Sequence, residues 1–219
     1  MIPSKQIDAS RHILIKSDKK NLPQASVLYS YLLSRHKKVS CCADEADKKF
    51  SFLPWFEKIR VNCSSSADLE IDANIEIMDL YNFLQESDVK INAKMATALY
   101  AGFLLRYKNF LSDDVNGTVF AALGQLITFG AEHKLCVTHL CKNTPLRHIR
   151  LKAILFEKCL LKENAKVASV SIDDADLLRS GVSMEEATEA AKELLDIVHV
   201  EAVELVKSDE NIIKIIKDV

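Results

Sequence analysis

Apolar positions along the first third of the chain change period twice. The run H-I-L-I-K at residues 12–16 is short, continuous and β-branched, and the polar S-D-K-K-N-L-P-Q follows it. Val27, Leu28, Tyr31 and Leu32 then recur at helical spacing over residues 25–35. This order predicts strand, loop and helix. Pro23 suits the first turn of that helix, and K-K-V-S-C-C at residues 37–42 starts a second strand, so the chain opens as a parallel β-α-β unit. Residues 43–49 read as a charged loop and residues 50–56 as an aromatic cluster covering a sheet edge or a cleft rim. A short strand at residues 60–63, a turn at 64–66 and a boundary at 68–72 precede a helix marked by Ile75, Met78, Leu80, Tyr81 and Leu84.

Asn92 is placed to cap the next helix, whose apolar face is Met95, Ala96, Leu99 and Tyr100; residues 103–105 continue it either as helix or as a buried strand. Buried helices are expected at residues 116–130, ending at glycine, at 133–141, and at 146–161 with Pro145 near the start. The last quarter alternates instead. Residues 165–172, 198–206 and 212–217 read as strands, and Ser183 with Glu186 forms a capping box for a helix over 184–197. The predicted fold is α/β, a mainly parallel sheet flanked by helices, followed by a small α+β subdomain. The expected divisions are residues 1–142, a connecting helix at 143–163, and 164–219.

Composition adds limits. With 219 residues, 48% of them hydrophobic, and only 5 Gly and 4 Pro, the chain can bury a sizeable core. A net charge of -2 exerts no global pull on nucleic acid or anionic membrane. The first ten residues lack the order of a signal peptide, and no run approaches the roughly 20 apolar residues of a membrane span. A soluble, cytoplasmic protein is the expectation, and its six cysteines read as reduced thiols, mostly core packing.

Several strings share an order with one family. A-T-A-L-Y-A-G-F at residues 96–103, F-L-P-W-F-E-K-I at 52–59, P-L-R-H-I-R-L-K at 145–152 and S-I-D-D-A-D-L-L-R-S-G-V at 171–182 resemble the DHH phosphoesterases. The closest branch is the RecJ-related one that acts on short oligonucleotides and phosphoadenosine phosphate. The resemblance covers nearly the whole chain, with Ala25-Ser26 on the family's G-S after its first metal loop. It implies a DHH-like fold and, in the family, hydrolysis of a phosphoester by two divalent ions, usually manganese, held by aspartates and histidines.

This chain departs from that pattern at the ligands. The first loop offers only Asp18 among Ser17, Lys19, Lys20, Asn21 and Gln24. One alignment puts Asn62, Cys63 and Ser64 on the D-H-H string, and another puts Asn62 on an earlier ligand aspartate and deletes that loop. Where the family's G-I-x-T-D-T-G-x-F carries a ligand aspartate, G-F-L-L-R-Y-K-N-F carries Arg106, whose charge repels a metal. No counterpart of the family's C-terminal G-G-G-H region precedes Val219, which implies a cleft without its second wall.

The resulting expectation is a protein that has lost metal-dependent hydrolysis and acts as a binding, scaffold or regulatory protein, with no cofactor; manganese enters only if it is a phosphoesterase. A second expectation is metal-free binding of a nucleotide or phosphate by Lys16, Asp18, Lys19, Lys20, Asn62 and Arg106, because guanidinium suits bidentate phosphate contact. Against it, the lysines read as a solvated loop and Arg106 as paired with an acid such as Asp113. For a protein partner or a homodimer, Trp55 and Phe56 are the candidate surface. His133, Cys136, His139 and Cys141 supply donors for zinc, but helical spacing sends them to different faces. Asp173, Asp174 and Asp176 read as acids opening a helical turn.

Overall fold

Strand β1 (His12–Ser17) is the centre of the first sheet: Ile13, Leu14 and Ile15 are 0, 2 and 0% exposed, so side chains on both faces are covered. The computed structural model describes residues 2–61, 63, 66–142, 144–207 and 212–216. They form two compact units, Met1–Asn143 and Thr144–Val219. No helix among the described residues is long and apolar enough to cross a membrane.

The first unit begins with α1 (Ser4–Ala9), then β1, α2 (Leu22–Ser34), β2 (Lys38–Ala43), β3 (Ile59–Val61) and β4 (Leu69–Asp72). All the pairings are parallel, in the order β3-β2-β1-β4. Helices α3 (Ile77–Glu86), α4 (Ala93–Arg106), α5 (Gly117–Thr128) and α6 (His133–Leu140) complete the unit. Ten consecutive residues of α4, Met95 through Leu104, are buried, because the helix packs against α2, α3, α5 and α6. Asn92 caps it by accepting from the Met95 N–H at 3.1 Å, and Asn116 caps α5 through Thr118 and Val119. Residues 103–105 are therefore helix, which resolves the two readings of that stretch.

The second unit runs α7 (Leu146–Glu157), β5 (Leu160–Lys162), β6 (Val167–Ile172), α8 (Asp174–Ser180), α9 (Met184–Ala191), β7 (Ala202–Lys207) and β8 (Ile212–Ile216). Its sheet order is β5-β6-β7-β8, with β6 and β7 parallel and the outer pairs antiparallel. Leu151 and Leu155 of α7 belong to this unit's core, beside Val170, Val203 and Leu205. The Ser183–Glu186 capping box opens α9, and a second, Asp173 with Asp176, opens α8.

Some local expectations need correction. Residues 68–72 hold β4 rather than only a boundary, and the helix expected to reach residue 161 ends at Glu157 and is followed by β5; the N-terminal segment, to which no element was assigned, forms α1. The helix expected over 184–197 is α-helical only to Ala191 and continues as a 3-10 turn to Asp196. The thiol expectation also changes. Cys42 and Cys63 are joined as a disulfide, Cα atoms 5.9 Å apart, because the parallel pairing of β2 and β3 brings together cysteines 21 residues apart. Cys41 and Cys136 are the buried core thiols expected, and burial pushes both up to about 12.

Asp176 gives the second unit an acid-sensitive contact. It is 7% exposed, accepts from the Lys158 ammonium, and caps the Asp173 N–H at 3.0 Å. Burial acts to raise this carboxyl's pKa, but the Lys158 and Asp173 hydrogen bonds outweigh it and hold it below the ordinary range. A lowered carboxylate stabilises the fold above its unfolded pKa and loses that contribution as pH falls through the folded one. Asp176→Asn is therefore expected to be less stable than the wild type at neutral pH, with the gap in urea melts closing as pH falls below the ordinary carboxylate range and through the lowered folded value. A gap that stays constant with pH would refute this.

Candidate functional site

The carboxyl ends of β1, β2 and β4 meet the N-terminal turn of α2, the start of α3 and the last turn of α4, and a cleft of ≈ 520 Å³ lies between them. Crevices outside the carboxyl ends of parallel strands are where open α/β sheets bind ligands. Its floor is apolar, formed by Phe50, Ile75, Ile77 and Leu105, and its rim carries Lys19, Lys20, Lys49 and Arg106 against Glu45, Asp47 and Glu76.

Gly102 sets the closeness of that floor. A Cβ there would lie 2.5 Å from Ile77 Cδ1 and 3.0 Å from Ile77 Cγ1, so the α3–α4 approach depends on the missing side chain. One turn on, Arg106 is clamped: Nε donates to Glu76 Oε1 at 2.8 Å and an Nη to Asp114 Oδ2 at 2.8 Å. Desolvation works to lower the guanidinium pKa, but the Asp114 bond and the Glu76 charge outweigh it and raise it further. Asp114 is held low, first by a hydrogen bond from the Ser112 hydroxyl at 2.6 Å and then, against some desolvation, by Arg106. Arg106 thus pairs with Asp114 and Glu76, and the expected partner Asp113 is displaced by one residue.

The other predicted residues separate. Lys16 is exposed on β1 and pairs with Glu70 at 2.6 Å, outside the cleft lining. Asp18 Oδ1 accepts from the Lys20 and Asn21 N–H groups, both at 2.8 Å, so it closes the turn that leads into α2. Lys19 reaches Glu45 at 3.5 Å. Lys20 lines the cleft, and among the described residues its ammonium has no ion-pair partner. Asn62 lies outside the described residues.

Trp55 and Phe56 are half-buried. Trp55 Nε1 donates to Ser30 Oγ at 2.9 Å, its ring lies 5.6 Å from Tyr29, and Lys94 Nζ sits 4.3 Å above it. Phe50 and Leu53 of the same segment are core, 1 and 3% exposed.

Among the described residues, no group of three or more His, Cys, Asp or Glu side chains converges. His133 Nδ1 bonds the Tyr100 hydroxyl at 2.8 Å, His139 stacks on Phe52, Cys136 is buried against the Thr97 carbonyl, and Cys141 lies beside Asn109. Two divalent ions need several anionic or imidazole donors aimed at one point. The carboxylates nearest Arg106 are instead occupied by its guanidinium.

Sequence reasoning missed Glu76 and Asp114 as the partners of Arg106, and it placed Gln24 in the first loop without a role. Gln24, in the first turn of α2, is 8% exposed and lines the cleft; its Nε2 donates to Asn21 Oδ1 and the Ile75 carbonyl at 3.2 and 3.4 Å. Its Oε1 is buried without a hydrogen-bond partner among the described residues. A buried acceptor without a donor costs about 1–3 kcal/mol. The only signal in the sequence is a glutamine immediately before Ala25-Ser26.

No family model matches the chain, and no curated protein matches it. Among solved structures, an exopolyphosphatase-related protein from Bacteroides fragilis superposes with a TM-score of 0.77 at 12% identity, over 95% of this chain and 79% of that one. A Methanococcus jannaschii protein assigned as a family II inorganic pyrophosphatase gives a TM-score of 0.35 at 11% identity, over 90% and 83%, a likeness too slight to carry an argument. At such identity the first match speaks for the fold alone. The chain has an α/β fold, a parallel sheet flanked by helices with a second small sheet, shared with the exopolyphosphatase-related protein.

Proposed function

We propose that this protein is a DHH-like phosphoesterase relative, cytoplasmic, that has lost metal-dependent hydrolysis and works as a binding, scaffold or regulatory protein. One observation carries the reading: the guanidinium of Arg106, the residue that the resemblance sets against a ligand aspartate, is held on two sides by Glu76 and Asp114. A cation there opposes a second cation, and it takes up the carboxylates that would bind one. Asp18, the one acid left in the first loop, is bound to backbone N–H groups. The test is hydrolysis of short oligonucleotides, phosphoadenosine phosphate and pyrophosphate with manganese. The expected rate equals the blank, and turnover that disappears in Asp18→Asn would overturn the proposal.

A second reading, metal-free binding of a phosphorylated ligand in the same cleft, is favoured by two features. Lys20 offers a cation without an ion-pair partner among the described residues, and Gln24 Oε1 needs a donor such as a ligand hydroxyl or amino group. Nucleotides are then expected to raise the melting temperature of the wild type and to do so less in Lys20→Ala. Equal shifts in both, or none in either, would remove this reading.

A further inference from the structure

The second unit leaves one side of α7 open. Leu146, Ile149 and Phe156 are 60, 52 and 50% exposed, and Ala153 is exposed between them. Their spacing is 3, 4 and 3, that of positions a and d in a heptad, while Leu151, Ile154 and Leu155 on the opposite side are buried. Single exposed apolar residues are ordinary on a soluble protein, but four along one seam of a 12-residue helix form a stripe.

The charges beside the stripe divide into two kinds. Arg147 is paired with Glu186 at 3.0 Å and Lys152 with Glu193 at 2.8 Å, both within the unit. Arg150 and Glu157 are exposed and, among the described residues, have no ion-pair partner; the same holds for Arg179 at the end of α8. Arg150, Ala153, Ile154, Glu157 and Arg179 line a groove of ≈ 390 Å³ that meets the stripe at Ala153. The two unpaired charges on α7 have opposite sign, lie seven residues apart on nearly one face, and flank the small Ala153.

This arrangement is complementary to itself. If a second α7 runs antiparallel across the first about a twofold axis near Ala153, Arg150 of each chain falls beside Glu157 of the other. The small side chain at the crossing lets the helices approach, and the exposed Phe156 faces the groove of the other copy. Isologous contacts require such reciprocity, residue i meeting j and j meeting i. We propose that α7 is a self-association surface, pairing antiparallel with α7 of a second copy of this chain through the Ile149–Ala153–Phe156 part of the stripe and two reciprocal Arg150–Glu157 ion pairs, with Leu146 beyond the overlap of the two helices. A helix of this length spans about 18 Å, less contact than stable interfaces of about 1,200–2,000 Å² bury, so the dimer is a weak one.

Light scattering on the intact chain across a concentration series tests the proposal. The average mass is expected to rise from monomer toward dimer between about 5 and 500 μM, the range of a weak interface. Phe156→Glu, a change on an exposed side chain, is expected to weaken association by on the order of tenfold or more, with the thermal melt unchanged. Arg150→Glu and Glu157→Arg each place like charges across the axis and should each associate less than wild type. An equal mixture of the two restores opposite charges at both pairs and should form heterodimer better than either variant alone associates with itself. A monomer mass throughout, a dimer indifferent to Phe156→Glu, or a mixture no better than its components would each overturn the proposal.

Discussion

Phe103→Ala is expected to lower the unfolding free energy by about 3–5 kcal/mol, the range for removing a buried aromatic ring. Phe103 is 0% exposed, stands edge-on to Tyr81 with centroids 6.1 Å apart, and stacks on Tyr107 at 6.0 Å. Helix α4 is enclosed by α2, α3, α5 and α6, so few neighbours can move into the space the ring leaves. Urea unfolding followed by the fluorescence of Trp55, the single tryptophan and a residue of the same unit, reads this out. Leu111→Ala serves as the control, since Leu111 is 84% exposed. A loss at Phe103 under about 1.5 kcal/mol would place it in the range of well-tolerated core swaps and contradict the tight packing around α4.

Arg106→Asp is the second large change, because it reverses the sign of the cleft's best-held charge. Three carboxylates, the new one with Glu76 and Asp114, would then face one another where the guanidinium now donates to both acids at 2.8 Å. In the wild type, Asp114 is held low by Ser112 and then by Arg106, so its contribution persists above the ordinary carboxylate pKa and is lost as pH falls through its folded value. In the variant the sign inverts. Mutual repulsion raises the carboxyl pKa values, so the variant is least stable near neutral pH and recovers part of the deficit towards about pH 4 as protons are taken up. Manganese is expected to raise the melting temperature of Arg106→Asp and to leave the wild type unchanged, because three converging carboxylates suit a divalent ion. An equal response of both proteins to manganese would show that these acids do not converge on residue 106.

Those two substitutions lie one turn apart on α4, yet they differ in what their surroundings owe to local pattern. The burial around Phe103 is visible in a run of apolar residues long enough to establish a helical period with a capping asparagine. The same holds for β1, whose Ile13, Leu14 and Ile15 read as a short apolar strand. Short elements escape this logic. In β4 only Ile71 is buried among four residues, and β5 is three exposed residues directly after a helix, so neither carries enough positions to show a period. Strands of this length exist because a neighbour in the sheet satisfies their backbone groups: β1 for β4 and β6 for β5.

By itself the sequence determined the succession of α/β and then α+β elements and the presence of Arg106 at the end of the apolar run A-L-Y-A-G-F-L-L, since both are matters of residue type and local period. Only the tertiary structure decided that Arg106 is neutralised by Glu76, 30 residues earlier, and by Asp114. It also decided that Gln24 carries a buried acceptor without a donor among the described residues, that Cys42 meets Cys63, and that α7 keeps one apolar side uncovered. The physical reason is common to all four: each depends on which distant segment comes within a few ångströms, and a distance across the fold leaves no periodic mark on the chain.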